Sequence, residues 1–465
     1  MLQNPSNSGH LPGSQADRVA YGTAWILAGL AALFLVWPVW RATLPLEVWP
    51  NEGWNAYHAD DAFNPAALYP SPSGLIANNY PPLWYLTTGS LALLFGDAVV
   101  VGRVLSLIAV LSLGGLAGAV ARRFGATWVM AAIGGLWFVA TTARFFDSYV
   151  GMNEPQLFGQ AVMAAGMLWF IVRQQAGRSV EPAVLLMVAA GFIKHNLVAY
   201  PVVALIWLAL QDRWLGWRAT LLGVVVAALG LALCAWLYAP HFLADLLMPR
   251  SYSLVHMVKV SGRLQWVLPA LAVWAMWAWP ARHTDAARFS AMVIAAALIV
   301  CLAQKTGAGI DENAQFDLVF ATAVGVGVAF GRWPGEWGGW TPARLTLIAA
   351  AILVLRLLAS TRLEFAYVLA SVDYRAEAAR NTAVVRAEVA NVATIPGSIA
   401  CSNLVLCRMA GKPFVYDHFY VTQLIATGRM TAAELEARLK SAGIRPVLND
   451  ERTTAPSLYR RWPSH

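Results

Sequence analysis

The chemistry of this chain is concentrated where hydrocarbon gives way. Pro50-Asn51-Glu52-Gly53-Trp54-Asn55-Ala56-Tyr57-His58-Ala59-Asp60-Asp61 packs carboxylates, a histidine, amides and aromatic rings into one short stretch, and Asn78-Asn79-Tyr80-Pro81-Pro82 closes the same segment. Glu52 is the candidate catalytic group. A carboxylate just outside a membrane can take a proton from an acceptor hydroxyl or amine, or ligate a metal. A lone Glu in a Pro/Asn/Gly setting is more often a helix cap or simply solvated, but the crowding around Glu52 turns the reading towards function. Asn51, Asn55, Tyr57, His58 and Tyr80 are candidate substrate contacts, and on a helix Glu52, Asn55 and Ala56 share a face.

A second polar group is Arg144-Phe145-Phe146-Asp147-Ser148-Tyr149-Val150-Gly151-Met152-Asn153-Glu154-Pro155. Asp147 and Glu154 could join Glu52 in a carboxylate set for a divalent cation such as Mg, Mn or Ca. The plainer alternatives are an Arg144–Asp147 pair one turn apart and a helix-start role for Glu154. Lys194-His195-Asn196 interrupts an apolar stretch running from Ala183 to Leu210. An ammonium amid so much hydrocarbon is a functional candidate, snorkelling being the alternative. At that depth Lys194 suits the phosphate of a lipid carrier. His195 fits a hydrogen-bonded interior histidine better than a catalytic one. Arg250, Lys259, Arg263 and Lys305 are further cations able to bind a phosphorylated substrate or anionic headgroups. Gly307-Ala308-Gly309-Ile310-Asp311-Glu312-Asn313 is a flexible polar loop that could line the same cavity.

The elements that must position these groups are apolar helices. The 465 residues are 58% hydrophobic and 12% charged, and the mean hydropathy is +0.55. A soluble domain is about 25% charged, so the chain is a mainly α, polytopic membrane protein. The 21 Trp suit interfacial belts. The net charge of +8 comes without any Lys/Arg run longer than a pair, which excludes a nucleic-acid partner. Residues 1–17 read as a disordered cytoplasmic tail, and 21–39 as an uncleaved anchor. Apolar runs follow at 98–121, 126–146, 156–172, 182–193, 196–210, 219–239, 264–280, 289–304, 316–331 and 345–360. The segment 83–95 follows Pro81-Pro82 and is too short to span, which suggests an interfacial helix.

With Arg18 in the cytoplasm, Arg122-Arg123, Arg173 with Arg178, Arg213 with Arg218, Arg282 with Arg288, and Arg332 with Arg344 all fall on the same side. That pattern supports about eleven spans in an 18–360 membrane domain. It puts loops 44–97, 144–156, 194–196, 240–263 and 304–315 on the opposite, periplasmic face of a bacterial inner membrane. The tail 361–465 would lie there too, as a small α/β domain. Strands are expected at 398–401, 413–416 and 445–448, and a helix from the capping box Thr431-Ala432-Ala433-Glu434 to Gly443. Cys234 and Cys301 are packing residues. A disulfide between Cys401 and Cys407 is possible if the tail lies outside the cytoplasm, and the spacing gives no structural zinc site.

These residues resemble the GT-C superfamily of integral membrane glycosyltransferases, in the branch of the protein O-mannosyltransferases and the lipid A aminoarabinose transferase. The resemblance is architectural over 20–360. It is motif-level at Asn51-Glu52, at Pro81-Pro82-Leu83-Trp84-Tyr85, and at Asp147 with Asn153-Glu154-Pro155; the Lys194 break also resembles that branch. The family usually has Asp-Glu at the first motif, so the resemblance leaves the base role to Glu52. Tyr80 stands where the lipid A branch has a phosphate-binding Lys, which moves that task to Lys194, Arg263 or another cation. The resemblance implies inverting transfer of a sugar from a polyprenyl-phosphate donor to a glycan, lipid or protein acceptor. A phosphate leaving group needs no strong acid, so one carboxylate base suffices, unlike the pair in glycosidases. A transporter or lipid flippase would show internal repeats and mid-membrane charges, and neither is seen. A catalytically inactive scaffold is the remaining alternative.

Overall fold

The structure is a computed structural model that describes residues 15–330, 339–449 and 451–454. Positions 1–14 of the expected tail, and Arg332, lie outside the described residues. In chain order the first helices are α1 (Gln15–Ala42), α2 (Pro50–Asp60), α3 (Pro65–Leu68), α4 (Leu83–Phe95), α5 (Ala98–Arg123), α6 (Trp128–Phe145) and α7 (Pro155–Gln175). Then come α8 (Glu181–Ile193), α9 (Ala199–Gln211), α10 (Arg213–Leu237), α11 (Phe242–Leu246), α12 (Leu254–Val260), α13 (Leu268–Ala278), α14 (Asp285–Gln304), α15 (Phe316–Phe330) and α16 (Pro342–Leu358). The tail adds α17 (Glu364–Ala370), α18 (Val372–Thr394), β1 (Ile399–Cys401), α19 (Leu404–Met409), α20 (His418–Ala426), α21 (Ala432–Ser441) and β2 (Arg445–Val447).

The apolar helices begin where a short polar side chain can take the first free amides. Asp97 caps α5, Thr127 α6, Glu154 α7, Asp212 α10, Thr284 α14 and Thr341 α16. Among the described residues, seven helices are long and apolar enough to cross a membrane. The expected runs at 182–193, 196–210 and 264–280 form α8, α9 and α13, of 13, 13 and 11 residues. Thirteen residues rise only about 20 Å against a hydrocarbon core of about 30 Å, so these are shorter than full spans. The run at 345–360 is α16, of 17 residues.

Helices α6 and α15 form the centre of the bundle. The apolar window of Glu312–Phe330, which contains α15, is 94% buried and that of α6 78%, against 11% for α10 at the periphery. With no hydrophobic drive between helices in lipid, close approach of small residues matters most. A Cβ on Gly135 of α6 would lie 2.3 Å from the Gly114 carbonyl of α5, so that crossing admits no side chain.

The loops sort to two ends of the bundle, in the same two sets that the charge pattern separates. At one end the Arg123 guanidinium and carbonyl bond Gln175 at 2.7 and 3.0 Å, and Glu181 meets Arg218 at 3.6 Å. At the other end the segment 44–97, the turn 146–154, the Lys194 joint, the loop 240–263 and the loop 305–315 touch one another and carry the tail. The tail holds a two-stranded parallel sheet, with Ile399 opposite Arg445 and Cys401 opposite Val447. The capping box at Thr431 and Glu434 is present, and Cys401 and Cys407 are disulfide-bonded. The expected strand at 413–416 is instead an irregular segment whose Phe414 stacks on Tyr57 at 5.2 Å. It is spent on docking and has no strand partner. Helix α18 was not expected; its Ala-rich sequence carries the propensity but no strong apolar stripe.

Candidate functional site

Helix α2 starts with Pro at its first turn and runs to Asp60, so Glu52, Asn55 and Ala56 do share a face, and all are buried. That face meets α5 rather than a cavity. Arg103, a lone cation inside the apolar α5, binds Glu52 bidentately, with Nε to Oε1 and Nη2 to Oε2 both at 2.7 Å. The amides of Val48 and Asn153 add bonds at 3.1 and 3.3 Å. Glu52 is 0% exposed. The Glu52 carboxylate, expected as the base, is instead held by a guanidinium that also binds two backbone carbonyls and cannot leave without releasing them, so the carboxylate charge is consumed in tying α2 to α5. The remaining Arg103 donors hold the carbonyls of Leu44 and Leu46 at 2.5 and 2.8 Å. Asn55 Nδ2 likewise bridges the carbonyls of Asn51 and Asn153. Asn51 itself is half-buried at the start of α2.

The break at Lys194 has a definite partner. Its Nζ lies 2.5 Å from Glu154 Oε1 and 3.8 Å above the centre of the Tyr80 ring, with both charged side chains buried. Glu154 Oε2 meanwhile caps α7 through the Gln156 amide at 2.7 Å, so the helix-start reading and the charge-pair reading both hold. His195 is exposed next to this pair, its ring 6.3 Å from that of Tyr80.

The third carboxylate of the expected metal set lies elsewhere. Asp147 pairs with Arg362 at 2.6 Å and accepts from the Trp37 indole at 3.1 Å. Glu52, Asp147 and Glu154 therefore hold separate cations and do not converge. No group of three metal-ligating side chains occurs among the described residues. Arg144 lies at the wall of a small pocket that Asp147 and Glu364 also line. It is buried between the rings of Phe34 and Phe365 and donates to the carbonyls of Ser360 and Arg362, clamping the start of the tail.

The remaining cations divide sharply. Arg263 is paired with Asp311 and Glu312. Lys305 is fully buried, with its ammonium 3.1 Å from the Val260 carbonyl. Arg263 is thus shared between two carboxylates and Lys305 is spent on a backbone carbonyl, whereas Lys194 has a single carboxylate partner. Lys259 is exposed on α12. Arg250 is half-buried, has no carboxylate partner among the described residues, and lies 5.5 Å from the Phe419 ring centre. With Lys194 it is the cation best placed to act on an anion.

The tail covers this end. Gly53 admits α19 so closely that a Cβ there would sit 2.4 Å from that of Leu404. Arg408 bridges Asp60 and Asp97 at 2.6 Å each. Tyr57 donates to the Lys412 carbonyl at 2.8 Å and so belongs to the docking surface, not to a substrate site. His58 packs among Trp54, Tyr85 and Phe414, and burial pushes it down to about 3, which leaves the ring neutral. Asp417 caps α20 and accepts the Trp54 indole N–H at 2.9 Å; burial pushes its carboxyl up to about 6. Asp245, beside the Asn78 amide at 3.4 Å, is pushed up to about 7 by burial.

Reading by local pattern missed Arg103 and Asp417. For Arg103 a signal existed: an ionisable residue in an apolar run is expected to have a partner. For Asp417 there was none, because its partner is 363 positions away. Together the loops present a buried Lys–Glu pair under a tyrosine ring, with an uncommitted arginine and an exposed histidine on adjoining loops. That arrangement can bind an anion and can exchange a proton at a carboxylate.

The crystal structure of ArnT from Cupriavidus metallidurans in the apo state is similar to this chain at a TM-score of 0.59 and 15% identity, covering 90% of this chain and 91% of that one. The same protein bound to undecaprenyl phosphate gives a TM-score of 0.56 and 14% identity over the same shares. No protein-family model matches the chain, and no curated protein does. The likeness is one of fold alone: a mainly α, multi-pass membrane architecture.

Proposed function

From that shared fold we propose that the chain is a membrane glycosyltransferase taking its sugar from a polyprenyl-phosphate carrier, with the Lys194–Glu154 pair and Tyr80 at its centre. The observation that carries the reading is this buried pair, placed at the helix joint where a lipid headgroup would lie. The acceptor oxygen attacks the anomeric carbon and loses its proton to Glu154. The bond from that carbon to the phosphate oxygen breaks, its electrons stay on the phosphate, and the configuration inverts. Lys194 and Arg250 stabilise the charge that develops there. Lys194 now neutralises Glu154; a phosphate drawing it away leaves that carboxylate basic when the acceptor needs it. Base and leaving-group stabilisation are then coupled through one ammonium.

The site end faces the periplasm of a bacterial inner membrane, a placement supported by the arginines of the opposite loops and by the Cys401–Cys407 disulfide. Asn51, Tyr80 and His195 line the approach. Each carboxylate of the earlier set is fixed by a cation, so no step is assigned to a divalent metal. The inactive-scaffold reading draws on the same neutralised carboxylates and on the amide at Asn51.

The decisive experiment uses the protein in nanodiscs with undecaprenyl phosphate as the probe and a polyprenyl-phosphate sugar as donor. Wild type binds the probe and releases carrier phosphate from the donor, Lys194→Ala loses binding, and Glu154→Gln binds but does not transfer. Wild type that fails to bind, or Glu154→Gln that transfers at the normal rate, refutes the reading.

A further inference from the structure

The tail reaches the proposed donor site through one buried contact chain. Asp417, at the start of α20, accepts the Tyr420 amide on Oδ1 at 3.0 Å and the Trp54 indole on Oδ2 at 2.9 Å. The Trp54 ring meets that of Tyr80 edge-on, 5.2 Å between centres and at 79°. Lys194 Nζ stands 3.8 Å over the other partner in that contact, the Tyr80 ring.

Each link is geometrically specific. An indole N–H has one acceptor direction, so the bond to Asp417 fixes the rotation of Trp54. An edge-to-face contact constrains the plane of Tyr80. A cation over a ring is held only while that ring keeps its orientation. Asp417 is buried and has no cation within ion-pair distance among the described residues. An unpaired buried carboxylate is costly, and an amide side chain would cap α20 equally well. What the carboxylate adds over the amide is its second oxygen, the one facing Trp54.

We propose that Asp417 is a positioning residue: by holding the indole of Trp54 it fixes Tyr80, and through Tyr80 the Lys194 ammonium, so that the C-terminal domain completes the phosphate-binding site. This rests on the reading of Lys194 as the phosphate ligand. The domain is therefore part of the donor site and not a passive cover. Its attachment through Arg408 to Asp60 and Asp97 sets how firmly Tyr80 is held.

The test measures binding of undecaprenyl phosphate and of unphosphorylated undecaprenol to the full chain in nanodiscs. The variants are Asp417→Asn, Trp54→Phe, the double variant and Lys194→Ala. Asp417→Asn keeps the α20 cap and breaks only the indole bond; Trp54→Phe keeps the ring and removes the N–H. Each is expected to weaken undecaprenyl phosphate binding by about tenfold, the scale of one misplaced cation contact, and to leave undecaprenol binding unchanged. The double variant is expected to match either single one, because both break the same bond. A merely structural role would lower both affinities together, and that result overturns the inference. So do additive effects in the double variant, or wild-type phosphate binding in both single variants while Lys194→Ala loses it; the last outcome leaves the functional reading standing. Lys194→Ala binding as tightly as wild type removes the functional reading, and this inference with it.

Discussion

Breaking the Glu52–Arg103 pair should show first as a loss of fold stability. Glu52 is 0% and Arg103 3% exposed, and two parallel bonds of 2.7 Å join them. At an effective dielectric of about 20, unit charges about 4 Å apart attract by about 4 kcal/mol. Removing one partner of such a buried pair costs about 3–5 kcal/mol. Glu52→Gln keeps one acceptor oxygen but turns an amide NH2 towards the guanidinium donors, so it should lose about that much. Arg103→Met should lose as much again, together with the two donors, Nη1 and Nη2, that the Leu44 and Leu46 carbonyls accept from, at about 1 kcal/mol for each orphaned group. In the double variant the uncompensated charge disappears. The loss should then fall short of the sum of the single losses by about 3 kcal/mol or more. The assay is reversible unfolding of the four proteins in mixed micelles, followed by sodium dodecyl sulfate titration. If Glu52→Gln keeps wild-type stability and loses transfer, the structural assignment fails and Glu52 is the base after all.

Other expectations follow from the same geometry. The Asp417 carboxyl is raised by burial from 3.8 to about 6, so the folded state holds its proton where the unfolded chain has released it. Wild-type stability relative to Asp417→Asn should therefore fall by about 3 kcal/mol from about pH 4 to about pH 6; a flat difference across that window refutes the buried, unpaired state. Gly135→Ala puts a methyl 2.3 Å from the Gly114 carbonyl. It should cost about 3 kcal/mol by forcing α5 and α6 apart, and a thermal midpoint equal to wild type would show that the crossing has slack.

Much of the architecture was legible because it is written locally. The helix 83–95 follows from a Pro-Pro start and a short apolar run. The α21 cap follows from Thr431 and Glu434, and the α8–α9 break from a lysine that hydrocarbon does not hold inside a helix. Loop sorting was legible from arginines alone, since charge placement along a membrane chain is a one-dimensional code. The strand at 413–416 failed because an extended segment becomes a strand only if an edge is free to pair, and this one docks on Tyr57 instead.

What the sequence could not decide is which charges neutralise which. Glu52 and Arg103 are 51 positions apart, Lys194 and Glu154 are 40, and Arg362 and Asp147 are 215. In a low-dielectric bundle a buried ion is costly unless a counter-ion or hydrogen-bond partners compensate it. Composition and spacing determined that this chain is a helical membrane protein with most of its loop carboxylates, amides and aromatic rings on one set of loops. Only the tertiary structure decided that Glu52 is spent on Arg103 while Lys194 stays beside Glu154 and Tyr80, because pairing energy depends on distances that no local pattern encodes.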